Sequence, residues 1–446
     1  MLVTLMAASA LLLPQQSGPD DPLPRRGSLE IALAPSQAGG LEIVGFRSGS
    51  LAPAQGLQVG DRVVAIRGRP VDTPQALAAA LAGLRAGERY PIELVRDGTT
   101  LTTPVQAVER AKETIRDFEA RYAHVTLASG DRIRTITLYP QRDALAMGGR
   151  LPAVFYVHGI PCQALDGLSQ PVGMVNPLLE GLLDAGFVVG FAEKPGVGDS
   201  EGVSCAEGGF DREVEAFTRA AGALRADPRV DADRFSMVGV SMGGFQAPLI
   251  ASEVPFTSIV TVGTGMQPWY EYMISNFRWR YQLEGMNAAE LEPRLRVFRR
   301  VWASLLVFGQ TLEEVRATAP EDAARFEEYF GDFGDAFGGR NVQFFQELDR
   351  APLWSAWSGY RGDLLALHGE YDWVATEYDH RVLTEVVRRN APDARVEFRI
   401  MPGLDHVGTS HASLEASFAN RFRGDRNSVM RDMIVEWLAD QATPLG

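Results

Sequence analysis

The 446-residue chain has almost no lysine: Lys112 and Lys194 are the only two among 43 basic residues, a bias toward arginine that reads as compositional. Cysteine is equally scarce, with only Cys162 and Cys205. That excludes a disulfide scaffold and a four-thiolate zinc site. Positive charge is in deficit, 43 basic against 57 acidic residues, for a net charge of −14. Such a surface is a poor match for a phosphate backbone, so nucleic acid is not expected as a partner. Long apolar runs are missing too. The longest, Leu2 to Leu13, falls short of the ~20 residues that a membrane-spanning helix needs, and no membrane span is expected. Its length suits the apolar part of an export signal, although no basic residue precedes it. The expected address is therefore periplasmic or secreted, and otherwise cytoplasmic. What is present is globular: 46% hydrophobic and 22% charged residues, at a length that suits two or three domains.

Residues 1–26 read as the signal-like segment and a Pro/Gly/Asp-rich linker. From 27 to 108 the pattern is short alternating strands around one Ala/Leu-rich helix, 74–86, which opens on Thr73-Pro74. Gly56-Leu57-Gln58-Val59-Gly60-Asp61, the following Val63-Val64-Ala65-Ile66-Arg67-Gly68, the helix and the Val95-Arg96-Asp97-Gly98 hairpin resemble a bacterial PDZ domain. The resemblance implies a small β-rich module that can add a peptide C-terminus as an extra strand. A module that only packs on its neighbour fits the same residues.

After a hairpin over 121–139, unbroken apolar runs appear at 153–157, 187–191, 235–240, 258–262 and 364–367. Such runs belong to strands buried on both faces. Helical stretches at 174–185, 211–226, 242–253 and 376–389 alternate with them, so a doubly wound, mostly parallel α/β sheet is expected over 115–446. Ligands of such sheets sit beyond the strand C-termini. There Gly239-Val240-Ser241-Met242-Gly243 gives G-x-S-x-G between strand and helix, a turn so tight that its flanks tolerate only tiny side chains. A serine nucleophile needs a base, and the base an orienting acid. Among six histidines, His406 lies in the loop after the last strand, where the order Ser, Asp, His requires the base; His411 is its alternative. Asp372, after the penultimate strand, is the acid, with Glu370 as rival. The oxyanion donors are the backbone amides of Met242 and of Ile160, in the loop His158-Gly159-Ile160-Pro161-Cys162. His158 is expected to shape this loop and not to transfer protons.

Together with His158-Gly159, the Gly196-to-Gly202 loop and Gly369-Glu370-Tyr371-Asp372, these residues resemble the α/β-hydrolase family over about 120–446. The resemblance implies a Ser241-Asp372-His406 triad and no cofactor. Glu193 departs from the Asp that many members carry before the Gly-rich loop. Residues 265–357 contain no core strand pattern but hold five of the seven tryptophans. This stretch looks like the helical lid of that family, with Trp269, Tyr270 and Tyr272 as candidate pocket lining; most of its aromatics would form the lid's own core. Cys162 and Cys205 sit on loops of neighbouring strands, and a disulfide between them is expected if the chain is exported. The expected activity is serine hydrolysis of a small-molecule carboxylic ester. A serine peptidase is the alternative, and a non-catalytic peptide-binding protein the third. No metal is expected, because His406 and His411 lack the spacing of a helical zinc pair.

Overall fold

The computed structural model describes residues 22–36, 40–72, 74–81, 83–110, 118–140, 149–162, 164, 175–331 and 340–442. The apolar run 2–13, most of the linker and Thr73 lie outside them.

The N-terminal unit is an antiparallel sheet in the order Ile31–Pro35, Leu41–Phe46, Arg62–Ile66, Arg89–Arg96, Thr99–Gln106, with Arg69–Pro70 paired to Arg62–Ile66. Helix Pro74–Leu81 is shorter than the stretch predicted from its alanines and leucines. Alternate residues of the strands fill one small core: Ile43, Val63, Ile92, Leu94 and Val105 are all buried, with Leu57 and Val71 from the connections. Asp61 explains part of the Gly56–Asp61 turn. Its carboxylate accepts from the Gln58 amide at 2.8 Å and from Arg96 Nε at 2.6 Å. A separate two-stranded ladder, Gly27–Ser28 with Val108–Glu109, closes the unit.

The larger unit has an α/β fold. Its eight strands are β1 (Glu119–Thr126), β2 (Arg132–Tyr139), β3 (Leu151–Val157), β4 (Val188–Ala192), β5 (Val230–Val240), β6 (Ser258–Val262), β7 (Asp363–Gly369) and β8 (Val396–Met401). They lie in the order β8-β7-β6-β5-β3-β4-β2-β1. β3 to β8 run parallel, while β2 is antiparallel to both β1 and β4. Side chains alternate across the sheet, so each strand feeds two cores. Phe155, Val157, Phe235, Met237, Leu364 and Ala366 face helices α2 (Phe210–Arg225), α3 (Met242–Glu253) and α7 (Glu377–Asn390). Val154, Tyr156, Val238, Val240, Leu365 and Leu367 face α1 (Val175–Asp184) and α8 (Val429–Ala442). This two-sided burial is why the strands read as continuous apolar runs.

Between β6 and β7 the chain forms a helical insert. It includes α4 (Trp269–Leu283), α5 (Ala288–Trp302), a π-helical turn at Ala303–Val307, and α6 (Val342–Arg350), with shorter helices at Leu312–Thr318, Pro320–Phe330 and Leu353–Gly359. Leu312–Thr318 and Pro320–Phe330 are separated at Ala319, because Pro320 starts a new helix and disfavours a helical residue before it. α5 starts with a capping box, Asn287 with Glu290. The insert has its own aromatic core, in which Phe277, Phe298, Trp302, Phe326, Phe344 and Phe345 are buried. No helix among the described residues is long and apolar enough to cross a membrane.

Candidate active site

Ser241 is the first residue after β5 and caps α3. Its backbone adopts φ 54°, ψ −119°, a region that side chains rarely occupy. Such a residue costs about 1–3 kcal/mol and must be held by its surroundings. The holding groups are visible. The Ser241 amide donates to Val262 O at 2.8 Å. A Cβ at Gly239 would lie 2.7 Å from Gly243 O, one at Gly243 would lie 2.2 Å from Val157 O, and one at Gly244 would lie 2.4 Å from Thr264 Oγ1. Three neighbouring glycines are thus required by close approach, and they let the turn press the serine out at a helix N-terminus, where the helix dipole favours developing negative charge.

The structure brings Ser241, His406 and Asp372 together. His406 Nε2 lies 2.9 Å from Ser241 Oγ, and His406 Nδ1 lies 2.9 Å from Asp372 Oδ2. An ionised carboxylate only accepts, so Nδ1 carries the proton and Nε2 is left to accept from the serine hydroxyl. Asp372 Oδ1 is fixed separately by the amides of Val374 at 2.7 Å and Ala375 at 2.9 Å. Burial works against charge on Asp372, but His406 and these hydrogen bonds outweigh it and hold its pKa below the usual 3.8. Burial also opposes charge on His406. The Asp372 carboxylate more than offsets this, and the imidazole pKa is raised above 6.5.

The remaining histidines and the rival acid take no place in this relay. Glu370 Oε2 accepts from the Gly403 amide at 2.8 Å and so braces the loop before His406. His411 Nε2 lies 3.0 Å from Asp405 Oδ2. The other oxygen of Asp405 accepts from the amides of Val407 and Thr409 at 2.9 and 2.8 Å. His411 therefore secures the loop that presents His406. His368 Nδ1 is 4.0 Å from Asp372 Oδ2, and its ring lies 5.0 Å from that of His380. His380 Nε2 in turn accepts from the Thr264 amide at 3.1 Å. His158 is buried edge-on against Phe217, and burial, then Lys194, drives its pKa well down. His124 is buried in the β1–β2 hairpin.

Among the described residues the Met242 and Ile160 amides make no hydrogen bond. Met242 opens α3 directly after the serine. A Cβ on Gly159 would lie 3.3 Å from Ser241 Cβ, so the Gly159–Ile160 peptide runs beside it. Cys162 and Cys205 are joined by a disulfide, with Cα atoms 5.7 Å apart. Glu193 is buried, pairs with Arg134 at 3.1 Å and accepts from the Asp199 amide at 2.8 Å, bracing the Gly-rich loop. Asp199 receives the linker, from the Arg25 guanidinium and from the Arg26 amide at 2.7 Å.

Of the aromatic candidates, Trp269 and Tyr272 stack 4.9 Å apart beside Phe245 of α3. Tyr272 OH donates to Val374 O at 2.8 Å, which ties α4 to the loop after Asp372. Tyr270 turns toward the other insert helices instead. Its amide donates to Asp349 at 2.6 Å, and its hydroxyl reaches Arg299 O. Sequence reasoning passed over Gly263, whose φ of +58° and missing side chain make room for His406. It also passed over Lys194 and Arg340. The signal for Lys194 was its rarity, which composition had explained away.

No cluster of His, Cys, Asp and Glu among the described residues could hold a metal ion. No protein-family model matches the chain, and no curated protein matches it. Solved structures do show likeness. The Pyrococcus furiosus esterase Pf2001 is 14% identical, over 74% of this chain and 95% of that one, with a TM-score of 0.43. A hypothetical protein of Pseudomonas aeruginosa, PA2218, is 16% identical over 75% and 98%, with a TM-score of 0.45. The α/β hydrolase GrgF of a Penicillium is 13% identical over 73% and 99%, with a TM-score of 0.43.

Proposed function

We propose that this chain is an α/β-hydrolase-type serine hydrolase that cleaves carboxylic esters through Ser241, His406 and Asp372. The observation that carries the reading is the unbroken relay of 2.9 Å contacts from Asp372 through His406 to a serine in a strained turn. In the first step Ser241 Oγ attacks the carbonyl carbon and its proton passes to His406 Nε2. The carbonyl electron pair moves to oxygen, facing the Met242 and Ile160 amides. Asp372 stabilises the imidazolium, which then gives its proton to the departing alcohol. Water, deprotonated by His406, releases the acid and restores the serine. A complete relay argues against a purely non-catalytic peptide-binding protein.

The same reading takes residues 265–357 as a lid, with Trp269 and Tyr272 on its catalytic side. It takes 27–108 as a PDZ-like module, supported by the Gly56–Asp61 turn and the antiparallel sheet with one helix. It puts the protein in an oxidising compartment, which the Cys162–Cys205 bond favours. The test compares turnover of p-nitrophenyl acyl esters and aminoacyl-p-nitroanilides by the wild type and Ser241→Ala. The expected result is ester turnover that the variant loses. Preferential anilide turnover would make the chain a peptidase with the same relay, and equal turnover by the variant would remove Ser241 from the chemistry.

A further inference from the structure

Lys194 is one of two lysines in a chain that otherwise uses arginine, and its side chain is fully buried just after β4. Its ammonium meets three acceptors. Gly159 O lies 2.7 Å away, Ile160 O 3.0 Å and Glu213 Oε2 3.4 Å. Three N–H groups on one nitrogen suit this tripod, whereas a planar guanidinium does not. Glu213, on α2, is neutralised from the other side by Arg340 at 2.6 Å and also accepts from Gln246 at 3.1 Å. Arg340 donates in addition to Ile160 O and to Cys205 O, both at 2.8 Å. Three of these contacts end on the carbonyls of Gly159 and Ile160, in the short loop 159–162 that the disulfide also tethers.

A buried ion cluster stabilises a fold poorly, because desolvation offsets its attraction. What this one supplies is direction. The carbonyl of Gly159 and the N–H of Ile160 belong to one planar trans peptide unit and point to opposite sides of it. Fixing that carbonyl on the ammonium therefore fixes where the amide points. Burial pulls the Lys194 pKa down to about 7, with Glu213 the main opposing influence. The Nζ keeps at least two N–H donors on either side of that value, enough for the two carbonyls.

Resting on the serine-hydrolase reading, we propose that Lys194 is a positioning residue that aims the Ile160 N–H at the substrate oxygen by holding the carbonyl side of the Gly159–Ile160 peptide. It touches no reacting atom and acts only through this peptide. Its effect belongs to the tetrahedral state, in which the carbonyl oxygen carries the negative charge. Loss of the ammonium therefore lowers kcat and leaves KM nearly unchanged.

The experiment uses the full chain with Lys194→Met, and with Lys194→Gln, which keeps a shorter, uncharged NH2 donor group. For each, kcat and KM are measured with a p-nitrophenyl ester, together with the inhibition constant of an aryl trifluoromethyl ketone. That ketone takes up Ser241 as a hemiketal, with the serine proton on His406 and the negative charge on the former carbonyl oxygen. Thermal melts report folding. A misaimed donor costs roughly 10- to 100-fold. The inference expects such a fall in kcat for the Met variant, KM within about threefold, a parallel loss of ketone affinity, and partial rescue by Gln. If the Met variant does not fold, Lys194→Met/Glu213→Gln removes both charges together and takes its place. Folded variants with wild-type kcat, or with a kcat loss not matched in ketone affinity, overturn the inference alone. A wild type with no ester turnover overturns the hydrolase reading and this inference with it.

Discussion

Gly263 follows β6 with φ +58°, and its place opposite His406 makes it a sensitive test of the relay. An alanine there would set its Cβ 2.7 Å from His406 Nδ1, 2.8 Å from Cε1 and 3.3 Å from Asp372 Oδ2. To regain ordinary contact the imidazole must withdraw by about 0.7 Å. That retreat stretches or breaks the 2.9 Å bond to Asp372. Two costs follow. The left-handed backbone costs an alanine roughly 1–2 kcal/mol, and the overpacking brings the total to about 2–5 kcal/mol. The catalytic cost is separate. A misplacement approaching 1 Å lowers rates by up to about 100-fold, so kcat should fall roughly 10- to 100-fold. The pH profile should move as well. The Asp372 carboxylate is what lifts the His406 pKa above 6.5 against the cost of burial, so loosening that contact shifts the acid limb of the profile to lower pH. Urea unfolding, with kcat and kcat/KM from pH 5 to 9, measures all three. An alanine variant with wild-type kcat and an unmoved acid limb would refute the reasoning.

Two further predictions come from the same geometry. His406 must be neutral to accept the serine proton. Because its pKa is raised, wild-type activity should fall as pH drops through a midpoint above 6.5, and Asp372→Asn should move that midpoint down while lowering kcat roughly 10⁴-fold. Cys162→Ser/Cys205→Ser opens a crosslink spanning 43 residues, for an expected loss of about 4 kcal/mol in urea unfolding; two alkylatable thiols in the unreduced wild type would contradict a formed bond.

The parts legible in the sequence were those with local physical causes. Gly239 and Gly243 announce the tight turn because each has a backbone carbonyl where a Cβ would go. The parallel strands announce themselves because both faces are buried, as with Val154 and Phe155. The late loop histidine and the acid after the penultimate strand follow from chain order. Long-range arrangements were not legible. Nothing local in Gly263 says that an imidazole from 143 residues further along will rest against it. Arg340 clamps Ile160 from 180 residues away, and even the short-range pairing of His411 with Asp405 shows only in space. Trp269 and Tyr272 are placed beside Phe245, while the adjacent Tyr270 turns into the insert, because helical periodicity separates neighbours onto different faces.

The central claim is that Ser241 is the nucleophile, activated by His406. The measurement that addresses it most directly is covalent labelling with a fluorophosphonate followed by peptide mapping. In the wild type a single adduct is expected on Ser241, with the label absent from Ser241→Ala and formed far more slowly in His406→Ala. No adduct on the wild type, an adduct on another residue, or labelling of His406→Ala at the wild-type rate would contradict the account.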